Sequence, residues 1–258
     1  MTRTVTSTRT FVPAPGRAPL GRMLAAQTAM EVRLTLRRGE SLLLTLVIPV
    51  LLLVGVSQTS VVRLPGGDRV AFLAPGVLAL AVMSTAFTGQ AISTGFERSY
   101  GVLKRLGASA LSRRDLLVAK TLAVLAVIVL QVAVIAVVAV LLGWRPVVGG
   151  LPAALGLLLL GAASFSGLAL LMAGTLRAEA TLAGANLVYL LMLAVGGVMF
   201  ALPPGIGRTL EFLPVNALVD GLRSVLEHGG TGPARVWVVL AVWAVGSIAA
   251  AARWFRWE

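Results

Sequence analysis

Six apolar runs of bilayer-crossing length leave this chain one class of fold. They cover residues 41–56, 70–94, 115–142, 151–176, 181–202 and 234–252. About 20 apolar residues, rising about 1.5 Å each as a helix, cross a hydrocarbon core of about 30 Å. Inside that core a helix satisfies its own backbone N–H and C=O groups, which an open strand cannot do. The runs are continuously apolar rather than alternating, and they are too long for strands. The expected fold is therefore all-α, with six transmembrane helices. The first run is the shortest and relies on adjustment at its flanks. Composition agrees: hydrophobic residues make up 58% of the chain and charged residues 12%, against about 25% charged in a soluble domain. Every polar interval is too short for a core of its own.

The polar intervals divide the rest. Residues 1–19 are rich in Thr, Arg and Pro, a composition expected to stay disordered. From 20 to 38, Leu20, Met23, Leu24, Met30 and Leu34 share one helical face, with Arg22 and Arg33 opposite. That pattern predicts a helix lying in the membrane interface. Residues 1–40 thus form a tail plus this interfacial helix, 41–252 the membrane domain, and 253–258 a short aromatic and basic tail. The net charge of +12 sits beside the runs and not in a separate patch, so membrane lipid is the expected partner rather than nucleic acid. If the N-terminus is inside, the outer intervals hold only Arg63, Arg69, Arg145, Arg208, Arg223 and Arg235 of the Lys and Arg residues. The positive-inside rule then puts both termini in the cytoplasm.

The longest charged interval, 95–120, reads GFERSYGVLKRLGASALSRRDLLVAK. At about 100° per residue, Glu97, Arg98, Lys104 and Arg105 fall on one side of a helix, with Tyr100, Val102, Leu103 and Leu106 on the other. An amphipathic helix of about three turns is expected here, lying flat between two spans with its charges toward a soluble partner. A second unusual interval is 203–233. Pro214 to His228 has a helical start and Gly229 a stop. Val215, Leu218, Val219, Leu222 and Leu226 give it an apolar face, and Asp220, Arg223 and Glu227 pair along the other. At about 15 residues it is too short to cross, so a half-inserted or surface-lying external helix is expected.

The 95–120 stretch resembles the first cytoplasmic loop of ABC-2-type ABC transporter permeases, the group that includes drug or antibiotic and lipid or polysaccharide exporters. The carrying residues are Glu97, Arg98, Gly101, Leu103 and Leu106, then Ser109-Ala110-Leu111-Ser112-Arg113, then Lys120. Ala110 stands where the family commonly has Pro. The resemblance implies a coupling helix over 95–113, with Glu97, Arg98, Gly101, Lys104 and Arg105 docking on a cytosolic ATP-binding subunit. It also implies a second permease copy, as homo- or heterodimer, and a place in the bacterial cell membrane. Pro214, Asp220 and Arg223 resemble the family's external re-entrant helix before the last span. Spans two and five line the path in such exporters. The residues placed there are Met83, Phe87 and Gln90 on span two, and Asn186, Tyr189 and Phe200 on span five.

The chain's own chemistry is sparse. There is no Gly-x-x-x-x-Gly-Lys-Ser/Thr, hence no P-loop for ATP, so ATP and magnesium belong to the partner and no cofactor or metal is expected here. There is no cysteine, and the one histidine, His228, cannot build a catalytic triad or a metal cluster. No carboxylate stands mid-span, as an ion-coupled carrier usually requires. The expected function is transport, not catalysis: a permease moving a hydrophobic or amphipathic molecule outward, a drug or antibiotic, or else a lipid or lipid-linked glycan. A stand-alone carrier would transport in liposomes without any ATPase. A membrane enzyme or scaffold would catalyse or bind without vectorial movement.

Overall fold

The computed structural model describes residues 18–37, 39–58, 68–107, 112–198 and 209–256. Every regular element among them is helical. In chain order these are α1 (Leu20–Arg37), α2 (Gly39–Gln58), α3 (Arg69–Met83), a widened π-helical turn (Ser84–Gly89), α4 (Gln90–Ser99), α5 (Val102–Gly107), α6 (Arg113–Leu141), α7 (Leu151–Thr175), α8 (Ala178–Val195), α9 (Pro214–His228) and α10 (Ala234–Trp254). Among the described residues, five stretches are long and apolar enough to cross a membrane: Arg69–Ser99, Asp115–Leu141, Val148–Thr175, Ala178–Val195 and Ala234–Trp254. The first expected span falls within the 20-residue α2, where the described apolar stretch covers Thr45–Gln58.

Local chemistry sets the ends. Asp68 caps α3, accepting from the N–H groups of Val70 and Ala71. Ser112 and Asp115 form a reciprocal capping box at the start of α6. Pro214 opens α9, and Gly229, at φ +79, closes it.

Three boundaries differ from the sequence pattern. The 97–107 segment is not one helix. Gly101 takes φ +68, so α4 ends at Ser99 and α5 restarts at Val102. Within the run 181–202, α8 ends at Val195, and Gly197, at φ +61, turns the chain. Phe200 and residues 108–111 lie outside the described residues. The interval 177–180 left between the fourth and fifth apolar runs gives way to a connection of only Leu176 and Arg177, because α8 already begins at Ala178.

Among the described helices, α7 and α10 pack together most extensively. A Cβ on Gly167 would lie 2.1 Å from Ser247 Oγ, and one on Gly156 would lie 2.7 Å from the Trp237 ring. Ser164 donates its Oγ–H toward Leu240 O at 2.9 Å, and Ser247 donates to Ser164 O at 3.1 Å. The small-residue face of span four thus lets two backbones approach and exchange side-chain hydrogen bonds, as helix association in lipid requires. The helix α9 is not surface-lying with respect to the protein. It packs against α3, α7 and α10, with Val215, Leu218, Val219, Leu222 and Val225 fully buried. Leu218 fills the space above Gly161 of α7.

Candidate functional site

One end of the bundle gathers the C-terminus of α4, the helix α5, the N-termini of α6 and α8, and the C-termini of α7 and α10. It carries Arg98, Lys104, Arg105, Lys120, Arg177, Arg253 and Arg256, and is called here the basic end. Sequence periodicity puts Glu97, Arg98, Lys104 and Arg105 on one face. The break at Gly101 separates them into two pairs.

The first pair is turned inward. Arg98 donates Nη1–H to Gly174 O at 2.7 Å and Nη2–H to Leu176 O. These are carbonyls of the α7 terminus, which have no partner within the helix. A guanidinium fork there satisfies them and favours the negative end of the helix dipole. The backbone N–H of Arg256 also donates to Gly174 O, at 3.0 Å, so the same terminus holds the end of α10. Glu97 forms an ion pair with Lys120 of α6. Lys120 is only 5% exposed and also pairs with Glu31 of α1 at 3.0 Å. Gln27 donates to Glu31 Oε1 at 3.1 Å. One buried ammonium thus ties α1, span two and span three together.

The second pair faces outward. Lys104 and Arg105 are exposed on α5, while Leu103 between them is fully buried. Arg105 donates Nη2–H to Tyr100 O at 2.9 Å and Nε–H to Gly101 O at 3.4 Å, lying back on the end of α4. Tyr100 stands exposed, its ring stacked 6.0 Å from that of Phe96.

The candidate path residues part company. Met83 and Phe87 are buried in the apolar core. Asn186 is on the exposed side of α8 and donates to Leu182 O of its own helix at 2.9 Å. Tyr189 is half-buried. Gln90 leaves the stripe of Met83 and Phe87 because of the widened turn. The N–H of Gln90 reaches back to Thr85 O, five residues earlier. One extra residue in a turn shifts all that follows by about 100°. Gln90 therefore faces a cavity of about 600 Å³ lined by α1, α2, the π-helical turn, α4, the start of α5 and α6. Glu31, Thr45, Thr85, Thr94, Glu97 and Lys120 share its wall. Near it, Thr85 donates to Gln131 Oε1 at 2.7 Å, and Gln131 donates to Thr45 O at 3.3 Å. Sequence reading missed Glu31, Thr94 and the π turn. Glu31 had one signal, an acid on an otherwise basic amphipathic helix. The π turn had none.

At the opposite end, Arg223 does not spend its donors on Asp220 or Glu227. It donates Nη2–H to Gly197 O at 2.8 Å and Val198 O at 3.2 Å, and Nε–H to Phe72 O at 3.3 Å. Its guanidinium carbon lies 3.8 Å over the Phe72 ring. Burial lowers the Arg223 pKa, and Asp220 and then Glu227 oppose that; as a guanidinium it stays charged. Asn216 donates to Val195 O at 2.9 Å. The short helix α9 is thus the clasp that holds the end of α8 against α3.

A bundle of apolar helices of membrane-crossing length, with Lys120 paired at one end and a short charged helix at its rim, defines a multi-pass membrane protein. Residues 59–253 match the family described as ABC-2 family transporter protein, and the chain belongs to that family. No curated protein matches it. Family membership makes the chain the transport component and implies an ATP-binding partner subunit.

Proposed function

We propose that the chain is the permease of an ATP-driven exporter in the bacterial cell membrane, with both termini in the cytoplasm. It works as a dimer, and moves a hydrophobic or amphipathic molecule out of the cytoplasm or the inner leaflet. The observation that carries this reading is the corner at α4, α5 and α6. Lys104 and Arg105 are offered outward from a short helix whose Leu103 is buried. Directly behind it, Glu97 is bound to Lys120 on span three, and Arg98 is bound to the end of span four. A displacement of α5 by a docked ATP-binding subunit is therefore delivered to three helices through charged contacts. Such a drive needs the subunit to bind one permease state more tightly than another. ATP binding, by drawing two such subunits together, supplies that difference.

Glu97 and Arg98 act in this scheme as transmission residues, and Lys104 and Arg105 as the contacts themselves. The test is ATP hydrolysis by the purified complex with its ATP-binding subunit. Lys104→Glu with Arg105→Glu should reduce substrate-stimulated hydrolysis by about tenfold or more, the effect of losing a charge-complementary contact of about 1.4 kcal/mol or greater. The melting temperature of the permease alone should fall only slightly, because both side chains are exposed and the Arg105 bonds to Tyr100 O and Gly101 O lie at the surface. Unaltered stimulation would end the docking assignment.

A further inference from the structure

Among the described residues, the cavity at the basic end draws its lining from α1, α2, the π-helical turn, α4, the Tyr100–Val102 corner and α6, and includes no residue of α8. It thus touches span two and not span five. Two polar side chains in its wall are unsatisfied. Gln90 is 3% exposed and Thr94 fully buried, and neither the Gln90 amide, at Nε2 or Oε1, nor Thr94 Oγ1 has a hydrogen-bond partner. A buried amide without a partner is costly, and native proteins keep one where something else supplies the bonds. The charges of the wall do not cancel. Among the described residues of the lining, Glu31 and Glu97 face one ammonium, Lys120, which leaves that set with one formal negative charge. Ile92, Ala123, Val124 and Val127 make the rest of the wall apolar. Exposed Thr35 and Tyr100 mark the side on which it opens.

We propose that this cavity binds an amphipathic monocation: an amine or iminium whose positive centre meets Glu31 and Glu97, whose polar group meets Gln90 and Thr94, and whose apolar body lies along α6. Its volume matches that of sites for drug-sized molecules. An anion would meet excess negative charge and could reach Lys120 only by displacing two carboxylates, a like-charge arrangement that costs affinity. Bilayer phospholipids, neutral or anionic overall, do not match the charge. The inference deepens the permease reading and rests on it for its biological sense. Binding itself requires neither ATP nor the ATP-binding subunit.

The test therefore uses the full chain alone in phosphatidylcholine nanodiscs. It reads the fluorescence anisotropy of rhodamine 6G, an amphipathic monocation, against fluorescein, an anion with a similar ring system. Rhodamine 6G is expected to bind saturably, and fluorescein is not. Glu31→Gln and Gln90→Leu should each weaken rhodamine 6G by about fivefold or more. Gln90→Leu removes an unpartnered buried amide, so the melting temperature should hold or rise, which separates loss of the site from loss of the fold. Val242→Ala, on the exposed face of α10, should leave affinity within about twofold. Absence of saturable rhodamine 6G binding, equal binding of fluorescein, or wild-type affinity in both site variants overturns the proposal. Such a failure leaves the ATP-coupling assay at Lys104 and Arg105 untouched, so the two readings fall separately.

Discussion

Lys120 lies between two carboxylates, with side-chain exposures of 6% for the lysine, 14% for Glu31 and 18% for Glu97. A charge is tolerated in such a place only while it is paired, because desolvation costs several kcal/mol per ion. Lys120→Met leaves two acids facing each other and should destabilise the fold by about 3 kcal/mol, measured by thermal unfolding in detergent. The triple change Lys120→Met, Glu31→Gln, Glu97→Gln should recover most of that loss, since no unpaired charge remains. Arg98 gives a second prediction at this scale. Its fork serves two carbonyls at once, which an ammonium cannot reproduce. Arg98→Lys should therefore speed hydrogen exchange over residues 174–178 nearly as much as Arg98→Ala. Protection equal to wild type in the lysine variant would refute the forked contact. The charges of Glu97 and Arg98 were legible in the sequence, but their direction was not. Their partners lie on helices remote in the chain, and helical periodicity reports only neighbours three and four residues away.

At the scale of elements, the pair α7 and α10 depends on missing side-chain volume. Gly167 faces Ser247 with no room for a methyl group. Gly167→Ala should cost about 1–3 kcal/mol by overpacking, and Ser247→Gly on the same chain should restore a large part of it. That double-mutant cycle reads the contact itself. Gly101 is a different case. Open space surrounds its Cβ position, so Gly101→Ala should cost only the left-handed backbone penalty of about 1 kcal/mol. Its larger effect should fall on coupling, by straightening the α4–α5 corner and moving Lys104 and Arg105; substrate-stimulated ATP hydrolysis measures this. The small-residue face of span four and the Pro and Gly ends of α9 were plain in the sequence, because both are local signals. The π turn was invisible, since Ser84–Gly89 carries no residue that distinguishes a turn closed at five residues from one closed at four.

Across the whole molecule the charged groups segregate. Paired and outward-facing charges concentrate at the basic end, while the other end is closed by α9 and its Arg223 clasp. The native chain has no cysteine, so single thiols report topology directly. Lys104→Cys should resist an impermeant maleimide in intact cells and react in inverted vesicles. Thr231→Cys, beyond the Gly229 stop of α9, should show the opposite pattern. The reverse labelling would invert the membrane orientation and remove the corner from reach of any cytosolic ATP-binding subunit.

The sequence alone determined that this chain is a helical membrane protein of the ABC-2 kind, where its apolar runs lie, and where α9 begins and ends. Those properties follow from run length, caps and breakers, which act within a few residues. Only the tertiary structure decided which charges point inward, that Gln90 leaves the stripe of Phe87 for a separate cavity, and that Arg223 holds carbonyls instead of its neighbouring acids. Each of those outcomes depends on what stands opposite a side chain across a helix interface. A buried donor takes whichever unsatisfied partner the packing brings within reach.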